Sequence, residues 1–233
     1  MIHKIPLEKV LFLDIETVPN YANFQEVPET EQNLWDKKTK YQRKEDFSAE
    51  EYYDRAGIMA EFGKIICISI GIIDKNDTLK IKSFADDDEK KLLLEFGNIF
   101  NSQRLRDVIL CAHNGKEFDF PWIARRFLIN GMMPPVPFQM FGKKPWEIPH
   151  LDTMELWKFG DYKSFISLEL MAHVFGIPTP KDDIDGSMVS SIYYIEKDLQ
   201  RIVDYCEKDV LTLANIFRRM RQEDLLQRNI NTD

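Results

Sequence analysis

The stretch Val10-Leu11-Phe12-Leu13-Asp14-Ile15-Glu16-Thr17 decides how the rest of the chain is read. Four apolar residues in a row carry no helical period and read as a central strand covered on both faces. The strand is expected to end in the residues that follow, before Pro19. Residues i and i+2 of a strand share a face, so Asp14 and Glu16 stand side by side where the strand leaves the core. The plain reading is that the strand has ended and both acids are solvated. The chemical reading is that a divalent cation holds them. Hard oxygen donors with no Cys or His beside them select Mg²⁺ or Mn²⁺.

Working outward, Ile65 to Ile73 reads as a second buried strand, residues 74–77 as a turn, and Leu79 to Phe84 as a third strand closing a hairpin. Asp86, Asp87 and Asp88 open a helix to about Ser102, acids first as the helix dipole favours. Val108 to Ala112 is a fourth strand. Glu117 to Ile129 is a helix with Pro121 tolerated in its first turn. A Pro-rich loop over 131–149 leads to a short fifth strand at His150 to Thr153. Helices are expected at about Leu168 to Phe175, Ser187 to Ile195 and Asp198 to Met220. The fold class is α/β with a mixed five-stranded sheet flanked by helices. No repeat or linker interrupts it, so residues 1–233 read as one domain with a charged insertion at about 20–60 that holds short helices and is exposed or mobile. The basic run from Lys37 to Lys44 lies there and reads as a solvated face or a strand-guiding surface.

Composition narrows the function. The 233 residues include 31 Lys+Arg against 39 Asp+Glu, a formal net charge of −8, with 44% hydrophobic residues. That suits a globular protein, yet the acidic balance opposes a broad phosphate-binding face. The longest apolar stretch, Ile65 to Ile73, is far short of the roughly 20 residues of a membrane span. No signal-peptide layout and no CxxC pair is present, so the chain is expected in the cytoplasm with Cys67, Cys111 and Cys206 buried and reduced. The four histidines are dispersed, which speaks against zinc.

The last helix has the clearest period: Leu199, Ile202, Val203, Cys206, Val210, Leu213, Ala214 and Phe217. At about 100° per residue they form a stripe of about 120°, with Asp209 about 20° and Tyr205 about 60° outside its edge. One acid thus points toward the core with a Tyr one turn above it, and such an acid needs a partner or a metal. Asp119 follows the fourth strand at the start of a helix, where an acid complements the dipole or binds a cation. Nearby, Asn114 reads as a helix cap or a substrate contact, and Phe118 as a core ring or a platform for a terminal base.

Leu13-Asp14-Ile15-Glu16-Thr17, Asn114 with Phe118-Asp119-Phe120-Pro121, and Tyr205-Cys206-Glu207-Lys208-Asp209 together resemble the three exonuclease motifs of the DEDD superfamily. The terminal Tyr-x-x-x-Asp is similar to its DEDDy subclass, and the whole is similar to the proofreading domain of family B DNA polymerases. Glu61-Phe62-Gly63-Lys64, Gly176-Ile177-Pro178 and Asp185-Gly186-Ser187 look like the same lineage. The likeness spans about residues 9–220, apart from the insertion. It implies an RNase H-like fold and a standalone 3′–5′ exonuclease acting on single-stranded DNA, with RNA as the alternative substrate. DNA repair is one setting in which such an enzyme acts. A non-catalytic binding module on the same scaffold is the reading of a different class.

The implied chemistry is two-metal hydrolysis releasing 5′-mononucleotides. Asp14, Glu16, Asp119 and Asp209 would hold two Mg²⁺ or Mn²⁺ about 3.5–4 Å apart. Asp14 would bridge them, and Tyr205, with a reference pKa of about 10, would position the attacking water. Thr17, Asn114 and Phe118 are the implied substrate contacts, Thr17 through its backbone N–H. Lys181 is a further phosphate contact or a solvated lysine, and Asp152 is expected to be structural. Two bound cations would bring the working charge to about −4, so an acidic chain can still act at a nucleic-acid end.

Overall fold

A computed structural model of the chain describes residues 2–43, 47–178 and 184–226. Lys44 and Lys181 lie outside the described residues. The strands are β1 (Val10–Pro19), β2 (Gly63–Ile73), β3 (Leu79–Ala85), β4 (Ile109–Ala112) and β5 (Leu151–Asp152). The main helices are α1 (Glu29–Thr39), α2 (Glu89–Asn98), α3 (Gln103–Arg106), α4 (Asp119–Ile129), α5 (Thr153–Lys158), α6 (Leu168–Val174), α7 (Val189–Ser191) and α8 (Leu199–Met220). The sheet order is β3-β2-β1-β4-β5, antiparallel from β3 to β1 and parallel from β1 to β5. This is the expected mixed five-stranded α/β architecture.

β1 is central because every second residue serves a different layer. Leu11, Leu13 and Ile15 face a core closed by Leu92, Phe96, Phe120 and Phe127 of α2 and α4. Val10 and Phe12 face α8, where Phe217 meets Phe12 edge-on with ring centroids 5.8 Å apart. Val18 also lies on the α8 side, with Ile202 and Cys206. The alternation predicts that Asp14 and Glu16 look toward α8 as well. Gly71 of β2 lets that helix come close: a Cβ there would sit 2.8 Å from Val210 Cγ1.

Several expectations need correction. β1 does not end at Asp14 but pairs with β2 as far as Pro19, with a bulge between Glu16 and Thr17. The acids are therefore in mid-strand, and Glu16 is only 8% exposed. The 20–60 insertion is not merely an exposed segment. It has a small core of its own in which Trp35 is fully buried against Tyr53 and Phe62, and its indole donates to the Ala49 carbonyl. Aromatic residues replace the aliphatics whose scarcity made the segment look unpacked. The helix expected at Ser187–Ile195 is α7 followed by a π-helical turn over Ile192–Glu196. α5 was not anticipated, although Asp152 caps it by accepting from Met154 and Glu155 N–H.

One buried ion pair fixes α4 on the sheet. Arg126 donates to Glu89 through Nε (2.8 Å) and Nη2 (2.6 Å), while Glu89 also accepts Ile65 N–H at 2.7 Å and Asn130 Nδ2 at 2.8 Å. With its partners satisfied, this pair ties α2, α4 and the start of β2 together. Removing one member would strand a buried charge.

Candidate active site

The site lies where β1 outlasts β4. The two strands pair only over Val10–Phe12, so the β1 edge beyond is open on that side. Asp119, at the first turn of α4, fills the gap: its carboxylate accepts the backbone N–H of Ile15 as well as its own. Gly115 makes the tight path from β4 to α4 possible, since a Cβ there would sit 2.3 Å from that of Ala112. Asn114 takes the left-handed conformation (φ 61°) at the start of this loop.

Asp14 and Glu16 arrive on the α8 face together, as their spacing requires. Donor atoms of Asp14, Glu16 and Cys206 lie within 4.8 Å of one another. The field joins the other two acids to them. Asp14 is pushed well above the usual carboxylate range, first by burial and then by Glu16, Asp209 and Asp119; a hydrogen bond from Cys206 acts the other way. Glu16 is raised by burial, then by Asp209, Cys67 and Asp119. Burial holds Asp119 up at about 7, against the pull of the two N–H groups it accepts. Tyr205 donates to Asp209, and burial followed by Asp209, Glu16 and Asp14 lifts its hydroxyl far above the ordinary phenol range.

Carboxyl groups gathered so closely that burial and neighbouring acids raise Asp14 and Glu16 together are a poor way to build a core. They are a good way to bind a divalent cation, which replaces the protons and relieves the repulsion. The donor chemistry therefore fits Mg²⁺ or Mn²⁺. The simple solvated reading fails for Glu16, which is buried, and for Asp14, which lies in mid-strand, partly buried and bonded to the Cys206 thiol.

The expectation that no Cys stands beside these acids was wrong. Cys206 donates from Sγ to Asp14 Oδ2 at 3.3 Å and to the Asp14 carbonyl at 3.5 Å. The stripe makes it one more apolar residue of α8, yet it lies one position after Tyr205 and three before Asp209. That spacing was the available signal.

The remaining residues divide. Thr17 spends its hydroxyl on the Gly57 carbonyl at 2.6 Å and lies in register with Ile65 of β2, so its side chain is engaged. Phe118 is half-buried, with its ring centroid 6.1 Å from that of Trp122. Asn114 does not cap α4, correcting that expectation: the cap position is Phe118, and Asn114 Oδ1 is buried without a hydrogen-bond partner. Asp152 is structural: Oδ1 accepts Asn114, Met154 and Glu155 N–H, and Oδ2 accepts Lys116 N–H. It moulds the loop that delivers Asp119.

The chain belongs to a family described as a predicted 3′–5′ exonuclease related to the exonuclease domain of PolB, whose profile matches residues 58–230. That span contains Asp119, Tyr205 and Asp209, whereas Asp14 and Glu16 precede it and rest on the geometry above. No curated protein sequence matches. Among solved structures, the family B DNA polymerase of the hyperthermophilic archaeon Pyrobaculum calidifontis is similar, with TM-score 0.57 and 13% identity over 93% of this chain. The chain spans 24% of that polymerase's length, and at this identity the likeness is one of fold.

Proposed function

We propose that this protein is a metal-dependent 3′–5′ exonuclease that releases 5′-mononucleotides from single-stranded DNA. The observation that carries the reading is the convergence of buried Glu16 and Asp119 with partly buried Asp14 and Asp209. Membership of an exonuclease family supports the reaction class.

In this proposal Asp14, Glu16, Asp119 and Asp209 hold two Mg²⁺ or Mn²⁺. When bound, such cations lower the pKa of a water and neutralise charge on the leaving 3′ oxygen. The chain's own residues do the rest. Cys206 and the strand fix the Asp14 carboxylate, and the N–H groups of Ile15 and Asp119 fix that of Asp119. Tyr205, which donates to Asp209 and whose hydroxyl burial raises above the ordinary phenol range, orients the water as a positioner rather than a free base. Phe118 and Asn114, on the loop that leads into Asp119, are the proposed contacts for the terminal nucleotide, with the Thr17 main chain at its 3′-OH. Residues 1–233 work as one unit, and a reducing cytoplasmic setting accords with three buried free thiols. Among the described residues no helix is long and apolar enough to cross a membrane.

The test is a pair of 3′-labelled strands of matched sequence, one DNA and one RNA, incubated side by side with Mg²⁺ or Mn²⁺. Faster mononucleotide release from DNA is expected. Faster release from RNA reverses the substrate assignment, and release from neither overturns the enzyme reading.

A further inference from the structure

We propose that Phe141, Trp146, Phe159, Tyr162 and Phe165, with the lysines among them, form a stacking surface for unpaired nucleotides behind the 3′ end; this rests on the nuclease reading above. Folding normally hides large rings, but Phe159 is 92% exposed, Tyr162 86% and Trp146 76%. Among the described residues seven aromatic side chains are strongly exposed, and five of them fall between 141 and 165. Packing does not explain them. Phe159 even adopts a left-handed backbone (φ 43°) that a bulky residue normally avoids, and Gly160 follows at φ 92°.

Cations accompany the rings. Lys144 Nζ lies 5.2 Å from the Trp146 centroid, and Lys158 Nζ lies 4.8 Å from that of Phe165. Lys143 and Lys163 are exposed. The acids of the same stretch bond other groups than these four ammonium groups. Glu147 accepts Lys144 N–H at 2.8 Å, Asp161 accepts Lys163 N–H at 3.1 Å, and Glu155 pairs with Lys116 at 2.8 Å. Asp152 is consumed by its four backbone donors. Among the described residues no carboxylate lies within ion-pairing distance of Lys143, Lys144, Lys158 or Lys163. These ammonium groups stand beside exposed rings, which is the local pairing a nucleotide strand can use.

The surface is attached to the catalytic loop. Asp152 holds Asn114 and Lys116, and His113 bonds Thr153 Oγ1 at 2.9 Å and the Ile166 carbonyl at 2.8 Å. The exposed rings are thus carried on both sides of the point where this segment grips the loop leading into Phe118 and Asp119. Phe141 also borders a groove with Lys116 and Arg125. Bases offer π-faces and phosphates offer charge at alternating positions, which is the pattern these rings and lysines match without reading sequence.

The experiment compares wild type with Trp146→Ala/Phe159→Ala and with Lys144→Gln/Lys163→Gln, on strands of about three and about fifteen nucleotides. All four positions are solvent-facing or partly so, and circular dichroism confirms folding. Both variants should raise KM for the long strand about tenfold while leaving kcat and trinucleotide kinetics unchanged. In Asp14→Ala protein, which retains Trp146, the long strand should quench tryptophan fluorescence, and added salt should reverse the quenching. Unchanged KM for the long strand, equal loss on both lengths, or salt-insensitive binding would overturn the proposal. If wild type cleaves neither strand, the nuclease reading fails separately. Binding of a labelled 15-mer then decides: loss in the variants supports the surface, and equal binding refutes it.

Discussion

Cys206 Sγ stands 3.3 Å from Asp14 Oδ2 and donates to it, so a buried thiol holds a carboxylate proposed above as a metal ligand. Groups that orient a ligand influence metal affinity without touching the metal. Cys206→Ala should therefore raise the metal concentration for half-maximal activity by about tenfold. Cys206→Ser keeps a donor and should show a smaller shift. Mn²⁺ titrations of nuclease activity measure both, and identical midpoints in all three proteins would remove Cys206 from the account.

The roles of Asp14 and Tyr205 separate by magnitude. Asp14→Ala removes the ligand proposed to bridge both cations and should cost activity about a thousandfold or more. Tyr205→Phe keeps the ring and loses only the hydroxyl next to Asp209, so a loss of about ten- to a hundredfold is expected. Single-turnover rates at saturating metal make the comparison. Full activity in Asp14→Ala would mean that the metal site is elsewhere.

The raised carboxyl groups fix the sign of the pH dependence. Asp119 is held at about 7, and Asp14 and Glu16 are raised well above the usual range, burial being the first cause in each case. The metal-free folded protein thus binds protons that the unfolded chain has released. The stabilisation from those protons is complete below a pKa of about 4 and is lost as pH rises through about 7. Metal-free protein should melt at progressively lower temperature from pH 5 to pH 8, and Mg²⁺ or Mn²⁺ should restore stability most at the alkaline end. Thermal melts with and without chelator report this. A metal effect that is larger at pH 5 would contradict the clustering of acids.

Asp152 supplies a structural counterpart. Its two oxygens accept four backbone N–H groups. Asp152→Asn retains one acceptor oxygen and turns an amide donor toward N–H groups. A destabilisation of about 1–3 kcal/mol is expected, with a smaller activity loss than in Asp14→Ala once the protein is folded. Urea unfolding and a metal titration distinguish this from a ligand role, which would shift the metal midpoint instead.

What the sequence disclosed follows from period. The two-residue repeat of β1 placed Asp14 and Glu16 on one face, and the 3.6-residue repeat of α8 aimed Asp209 inward. Long-range relations were less legible. The extent of β1 past Glu16 depends on pairing with β2, and no local signal carries that. The insertion's core is built of rings that a search for aliphatic residues passes over. Cys206 looked apolar because one strand determines whether a buried thiol meets a side chain or a carboxylate. Asn114 looked like a cap until the tight turn at Gly115 moved the helix start to Phe118 and Asp119.

The central claim is directional, metal-dependent removal of nucleotides from a 3′ end. It is tested most directly by one single strand labelled separately at its 3′ and 5′ ends and sampled through time with Mg²⁺ or Mn²⁺. The account predicts labelled mononucleotide from the 3′-labelled strand at the earliest times and a descending ladder from the 5′-labelled strand. Both should be abolished by chelator and by Asp14→Ala. Mononucleotide appearing first from the 5′ end, internal cuts, undiminished cleavage in chelator, or no cleavage with either metal would contradict it.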